Sequence, residues 1–218
     1  MGWVLASVPD YPGQAGHERL PLRRVFTTPG VRPVLGVVIA WMLAHNILYT
    51  YIAPFVAQAG LEAHVDVVLL IFGLAALVAI GIAGRLVDHH LWVTVLASLA
   101  IFTVVSPLFV WLERVPAAIY IGVAVWGLMF GGAAMLLQTA LADTAGDGAD
   151  VALSMNVVAW NSAIAGGGLV GGVLLDTWGA SSFPPVLVAL LTIALVITGT
   201  ARTHGFQAGS RHAHSVGH

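Results

Sequence analysis

The chain contains no cysteine, which excludes disulfides, thiolate metal sites and cysteine nucleophiles together. Lysine is missing too, so all eight basic residues are arginines. Charge of either sign is scarce, at 8% of 218 residues, against about 25% in an ordinary soluble domain. With a net charge of −2 and no basic block, the chain offers nucleic acid no electrostatic footprint. No Ser/His/Asp set, HExxH or Walker sequence is present, so neither an enzyme nor a cofactor or metal site is expected. The tail 211-RHAHSVGH-218 holds histidines, but it reads as a disordered tail before it reads as a metal site.

What remains is apolar. Hydrophobic residues make up 59% of the chain and the mean hydropathy is +0.94. A water-soluble core of this size could not absorb so much apolar surface, which makes the bilayer the expected solvent. The few charges punctuate the sequence. Charge-free stretches run over 34–60, 67–84, 91–112, 115–142, 151–175 and 177–201. Each is about the 17–25 residues that a spanning helix requires. The sequence therefore predicts an all-α membrane protein with six helices at about 34–57, 66–84, 91–112, 116–141, 151–175 and 180–201. Residues 1–31 read as an N-terminal segment and linker, 32–201 as the membrane domain and 202–218 as a tail. Pro116 fits a first helical turn, whereas Pro54 and Pro107 fall late in their helices and should end or kink them.

Arginine sets the orientation. With six helices, Arg19, Arg23, Arg24, Arg32, Arg85, Arg202 and Arg211 fall on one side and Arg114 alone on the other. The positive-inside rule makes the richer side cytoplasmic, with both termini inside a multi-pass plasma-membrane protein. Trp3–Val8 is apolar but too short to span, and no basic n-region precedes it, so it does not read as a signal peptide.

A weak internal repeat follows: the second helix closes on 84-GRLVD-88 and the fifth on 172-GVLLD-176. Each is the middle helix of a group of three, and because three is odd the two groups must lie inverted in the membrane. Inverted three-helix repeats build one half of several transporter folds; chance is the competing account of two short matches.

Four stretches carry a resemblance to a known family. They are 29-PGVRPVLGV-37 leading to 49-YTYIAPF-55 and Gly60-Leu61; 84-GRLVDHH-90; 138-QTALADTAGDGADVALSMNVVAWNSAIAGGGLVGGVLLDTWG-179; and the Pro/Gly/Arg-rich linker. Together they resemble the major facilitator superfamily, in particular its bacterial drug:proton antiporter and sugar-efflux group. The resemblance covers nearly all of residues 20–200 and implies the C-terminal six-helix half of a twelve-helix fold. Trp3–Val8 would then be the tail of a missing sixth helix. It further implies efflux of a small molecule or drug by proton-coupled alternating access, with the lipid bilayer, a small-molecule substrate and a second six-helix half as partners. That half would be a separate chain or a second copy. A truncated remnant or a non-transporting assembly partner is the rival reading. His89 and His90 depart from the family's loop motif, placing titratable groups where it often has arginine.

The candidate sites each have two readings. Gly84, Arg85 and Asp88 are similar to the family's cytoplasmic gating loop, or form a capped, solvated turn. Gly127 with Gly131, Gly167 with Gly171 and Gly168 with Gly172 are small-xxx-small pairs that let helix backbones approach closely. Gln138, Asn156 and Asn161 are amides at membrane depth, suited to interhelical hydrogen bonds or to lining a cavity. In 44-AHNILYTYIAPF-55, helical geometry gathers Met42, His45, Asn46, Tyr49, Thr50 and Ala53 within about 140° of arc. His45 stands alone among imidazoles, carboxylates and cations in lying inside a span. Such groups face a bundle interior or a wet cavity, so His45, Asn46 and Tyr49 read as cavity residues or, for His45, as a histidine bonded to a neighbouring helix. No carboxylate for proton coupling lies in the spans; His45 or the other half would have to supply the group.

Overall fold

The computed structural model describes residues 20–112 and 114–206. Trp3–Val8, Arg19, Glu113, Arg211 and the rest of the histidine-containing tail lie outside them. The described residues are helical with no strand. The helices are α1 (Leu22–Phe26), α2 (Val31–Thr50), α3 (Ile52–Ala57), α4 (Val65–Trp111), α5 (Pro116–Phe130), α6 (Ala133–Ala145), α7 (Ala149–Trp178) and α8 (Phe183–Thr200). Four helical stretches among them are long and apolar enough to cross a membrane: Val31–Thr50, Glu62–Trp111, Pro116–Trp178 and Ala180–Thr200.

Two of those stretches fold back on themselves. A straight helix of the 47 residues of α4 would extend about 70 Å at 1.5 Å per residue, more than twice the roughly 30 Å hydrocarbon core. Its backbone leaves helical values at His90 (φ −132°, ψ 28°). Phe72 on one arm and Phe102 on the other then both reach Trp126, at ring-centroid distances of 4.4 and 6.2 Å. The reversal thus takes a single residue, and 84-GRLVD-88 continues the helix instead of forming a loop. No glycine, proline or asparagine stands between Arg85 and Leu91 to break it earlier. The second fold-back, between α6 and α7, occurs at Gly146 (φ +53°), followed by a 3₁₀ turn over Gly146–Gly148. Gly supplies that positive φ without steric cost.

Contacts give the direction of each segment. Along α2 and α5, Trp41 and His45 meet Phe130, while Tyr49 meets Trp126, so the two helices are antiparallel. Gly127 and Gly131 lie on Phe72 and Ala76, making arm 65–89 parallel to α5. Phe102 and Phe109 meet Trp126 and Gly122 in the opposite sense, so arm 91–111 runs back. Leu43, Asn46 and Tyr51 meet Gly166, Gly167 and Gly171, so α7 is parallel to α2. Phe183 lies near Tyr51 and Phe55, and Ile197 near Gly36, so α8 is antiparallel to it.

Helix α2 occupies the middle: Val34, Val37, Val38, Trp41, Ala44, Ile47 and Leu48 are all fully buried. The outer arm 65–89 instead exposes Leu70, Leu74 and Leu77, one stripe at helical spacing. In water a patch of that kind would be an association surface; against acyl chains it is ordinary. Hydroxyls inside the helices bond back to their own i−4 carbonyls, as in Thr103 to Leu99, Ser106 to Phe102 and Thr198 to Ala194, which satisfies them where no water is present.

The prolines differ in effect, and Pro107, expected to end or kink its helix, lies inside α4, which continues past it to Trp111. Pro116 begins α5. Pro54 lies in α3, and the break falls upstream at Tyr51 (φ −112°, ψ 31°). Pro54 offers no N–H to the Thr50 carbonyl four residues back, so a rung is missing just before the break.

Candidate functional site

Helix α2 carries its polar face between several neighbours, and the structure divides that face. His45 turns toward α5 and arm 65–89, where it enters an aromatic cluster. Its ring lies on Phe130 at 3.5 Å between centroids and 2° between planes. Tyr49 stacks on it at 5.3 Å and 23°, with Trp126 at 5.3 Å and Phe72 at 5.7 Å. Trp41, one turn before His45, meets Phe130 edge-on at 6.2 Å. His45 is 7% exposed and Tyr49 43%, so Tyr49 forms the open edge of the cluster. Inside it, His45 Nδ1 and the indole Nε1 of Trp41 and Trp126 are buried without a hydrogen-bond partner. Each such group costs about 1–3 kcal/mol relative to a paired one, so three in one cluster marks the place as unusual.

Asn46 turns the other way. Its Nδ2 donates to the Met42 carbonyl at 2.8 Å, and its Cβ sits where a side chain on Gly167 would otherwise be. It is therefore a packing residue against α7, separated from the His45 cluster by the 100° between successive helix positions.

The other amides are likewise not joined across helices. Asn161 is exposed, with Nδ2 donating to the Val157 carbonyl of its own helix at 2.8 Å. Gln138 is exposed on α6. Asn156 is buried, and its Oδ1 has no partner. The structure thus brings His45 and Tyr49 together and leaves Asn46, Asn161 and Gln138 apart from them.

Gly84, Arg85 and Asp88 lie on the exposed side of the last turns of arm 65–89, where Arg85 Nη1 donates to the Gly81 carbonyl at 3.2 Å.

The glycine pairs sort by what faces them. A Cβ on Gly127 would stand 2.6 Å from the Phe72 carbonyl oxygen, and on Gly131 2.5 Å from that of Ala76, so α5 rides directly on the backbone of arm 65–89. Gly167 faces Asn46, while Gly171 and Gly172 form a notch for the Tyr51 ring. Gly168 differs, having open space at its Cβ position; its carbonyl accepts the Tyr51 hydroxyl at 2.8 Å.

Trp41, Phe72, Trp126, Phe130 and Tyr51 escaped the sequence reading. The i, i+4, i+8 series Trp41–His45–Tyr49 and the pair Trp126–Phe130 were the available signals; Phe72 gave none, since only the tertiary fold brings its arm alongside.

A purine ribonucleoside efflux pump, NepI, of Escherichia coli (strain K12) is 26% identical to the chain over 207 residues, covering 92% of this chain and 51% of the pump. The pump of the same name from Shigella flexneri matches to the same extent. A probable sugar efflux transporter of Mannheimia succiniciproducens is 26% identical over 195 residues, covering 88% of this chain and 49% of that protein. No protein-family model matches the chain, and no solved structure matches it. The chain spans about half the length of the curated relatives it matches. Those relatives are efflux transporters and not enzymes, and this chain is a multi-pass, all-helical membrane protein similar to them over nearly its whole length.

Proposed function

We propose that the chain is one six-helix half of an efflux-type secondary transporter of the major facilitator kind, corresponding to the C-terminal half. A small-molecule substrate sits between it and a second half, and transport proceeds by alternating access. The observation that carries this is the alternation of direction through six successive segments, combined with a match to efflux transporters that covers about half their length. Segments 31–57, 65–89 and 91–111 form one group of three. Segments 116–145, 149–178 and 183–200 form the other, running in the opposite sense. This is the arrangement that inverted repeats require, with Gly84/Asp88 and Gly172/Asp176 closing the two middle segments.

Within that reading the His45–Tyr49 cluster is a wall of the substrate cavity and Tyr49 its exposed edge. The names of the relatives support a substrate among sugars, nucleosides and related small solutes. Arg85 and Asp88 act at the cytoplasmic gate, and the close glycine contacts let α5 and α7 slide on their neighbours. Coupling to protons falls to a carboxylate of the second half or to His45.

The test is reconstitution with a complementary six-helix half. Neither chain alone should lower cellular accumulation of a nucleoside or sugar, and co-expression should. A complex that forms but moves no solute would favour an assembly partner without transport. A chain that stays monomeric beside every such half would leave a remnant as the better account.

A further inference from the structure

The transporter reading makes no use of a groove of about 480 Å³ between the two arms of α4, floored by α5 and α6. His90 and Thr94 stand at its mouth, Ala79 and Ile101 at its far end, and Leu128 and Leu136 along its floor. Ala79 and Ile101 lie 11 residues before and after His90, which places both about 16 Å from the reversal at 1.5 Å per residue. That is about half of the roughly 30 Å hydrocarbon core, so the groove is one leaflet deep.

In a bilayer the shape and chemistry of such a groove set what fills it. A spanning helix of a partner would need the whole thickness of the core. The groove instead stops at Ile101, while its arm continues to Trp111. Among the described residues lining it below Thr94 none is charged, and Ser98 alone has a polar side chain. A sugar or an ion would lose its hydration there without replacement. The Ser98 hydroxyl can turn to the carbonyl four residues back, as those of Thr94, Thr103 and Ser106 do, so an acyl chain strands no polar group.

The mouth is different. His89 and His90 are both exposed, with ring centroids 6.4 Å apart, close enough for one phosphate to accept an N–H from each. Asp88 is turned about 180° from Ala79 around their common helix, so its carboxylate does not oppose an anion there.

We propose that this groove holds one acyl chain of a phospholipid from the leaflet on the His90 side, with the lipid phosphate held by His89 and His90. The proposal needs only the membrane-embedded bundle, and it stands whether or not the chain transports a solute. Because the groove joins both arms of α4 to α5, the bound chain braces the reversal at His90, where a single residue leaves helical geometry.

The experiment uses the full chain, delipidated in detergent and titrated with dioleoylphosphatidylglycerol under native mass spectrometry. A phospholipid with a diazirine midway along one chain serves as the cross-linking probe. One lipid should bind saturably before others, and the probe should label residues 79–101 and 128–136 before the exposed Leu70, Leu74 and Leu77 stripe. Ala97→Phe puts a ring into the groove from an exposed position. It should weaken the first lipid at least about tenfold, as excluding about two methylenes would. Val104→Phe, on the same arm beyond the groove and 67% exposed, is the control. An unchanged unfolding temperature before lipid is added verifies that Ala97→Phe folds. Replacing His89 and His90 together by Ala should weaken the phospholipid several-fold and leave diacylglycerol, which lacks the phosphate, unaffected. Absence of a saturable lipid, Ala97→Phe binding like Val104→Phe, first labelling on the leucine stripe, or a histidine pair that does not distinguish the two lipids each overturns the proposal. So does groove labelling that vanishes on co-expression with a second six-helix half, since the groove would then belong to that interface.

Discussion

At the scale of single residues, the sharpest contrast is between glycines that look alike in the sequence. Gly131 and Gly168 are each one member of a small-xxx-small pair, yet a Cβ on Gly131 would meet the Ala76 backbone while one on Gly168 would meet nothing. Backbone cannot move aside as a flexible side chain can, so Gly131→Ala should cost about 1–3 kcal/mol of overpacking. In the helix interior Gly→Ala otherwise gains about 1 kcal/mol, so Gly168→Ala should be neutral or stabilising. Thermal unfolding in detergent should show Gly131→Ala lowered by roughly 2–10 °C and Gly168→Ala unchanged or raised; equal shifts would refute the packing account. The pattern of small residues was legible in the sequence because it is local. Which of them touch was not, since contact depends on the rotation of each helix against its neighbour. The same limit explains His45. Its depth and isolation could be read from charge counting, but its stacking on Phe130 could not, because that ring comes from a distant segment.

At the scale of elements, the sequence shows where helices end and says less about how they turn. Pro116 and the apolar run lengths could be read directly. The reversal at His90 could not, because polar Arg85–His90 looks like a loop when the helix in fact continues through Asp88. The break at Tyr51 is the better case for experiment. Pro54 frees a rung, the chain bends at Tyr51, and the Tyr51 ring drops into the Gly171–Gly172 notch with its hydroxyl on the Gly168 carbonyl. Tyr51→Phe keeps the ring in the notch and removes the bond, and should cost about 0.5–1.5 kcal/mol. Gly171→Leu should cost more, since it fills the notch itself. A second element junction is set by Gly30, whose φ of +94° and contact with the His204 carbonyl both exclude a side chain. Gly30→Ala should therefore lower the unfolding temperature further than Tyr51→Phe, because strain in the left-handed region adds about 1–2 kcal/mol to the clash. Matching unfolding curves for these variants would argue that the junctions are not under the constraints described.

At the scale of the molecule, the open matter is which end of each segment faces the cytoplasm, and the chain is well suited to answer it. Having no cysteine, it accepts single reporter thiols without a background to remove. His89 lies beside the His90 reversal and is exposed; Arg114 lies just before α5 and is exposed as well. If the segments alternate as their contacts indicate, arm 91–111 carries the chain from one membrane face to the other. The two positions must then lie on opposite sides. In the orientation expected from the positive-inside rule, the His89 side lies in the cytoplasm with Arg23, Arg24, Arg32 and Arg202. His89→Cys should therefore react with a membrane-impermeant maleimide only after cells are opened, and Arg114→Cys should react in intact cells. Labelling of both from the same side would break the alternation and with it the six-segment half. The reversed pattern would keep the fold but invert it, placing the Arg85–Asp88 turn outside the cell. A cytoplasmic gate could not then be built from that turn.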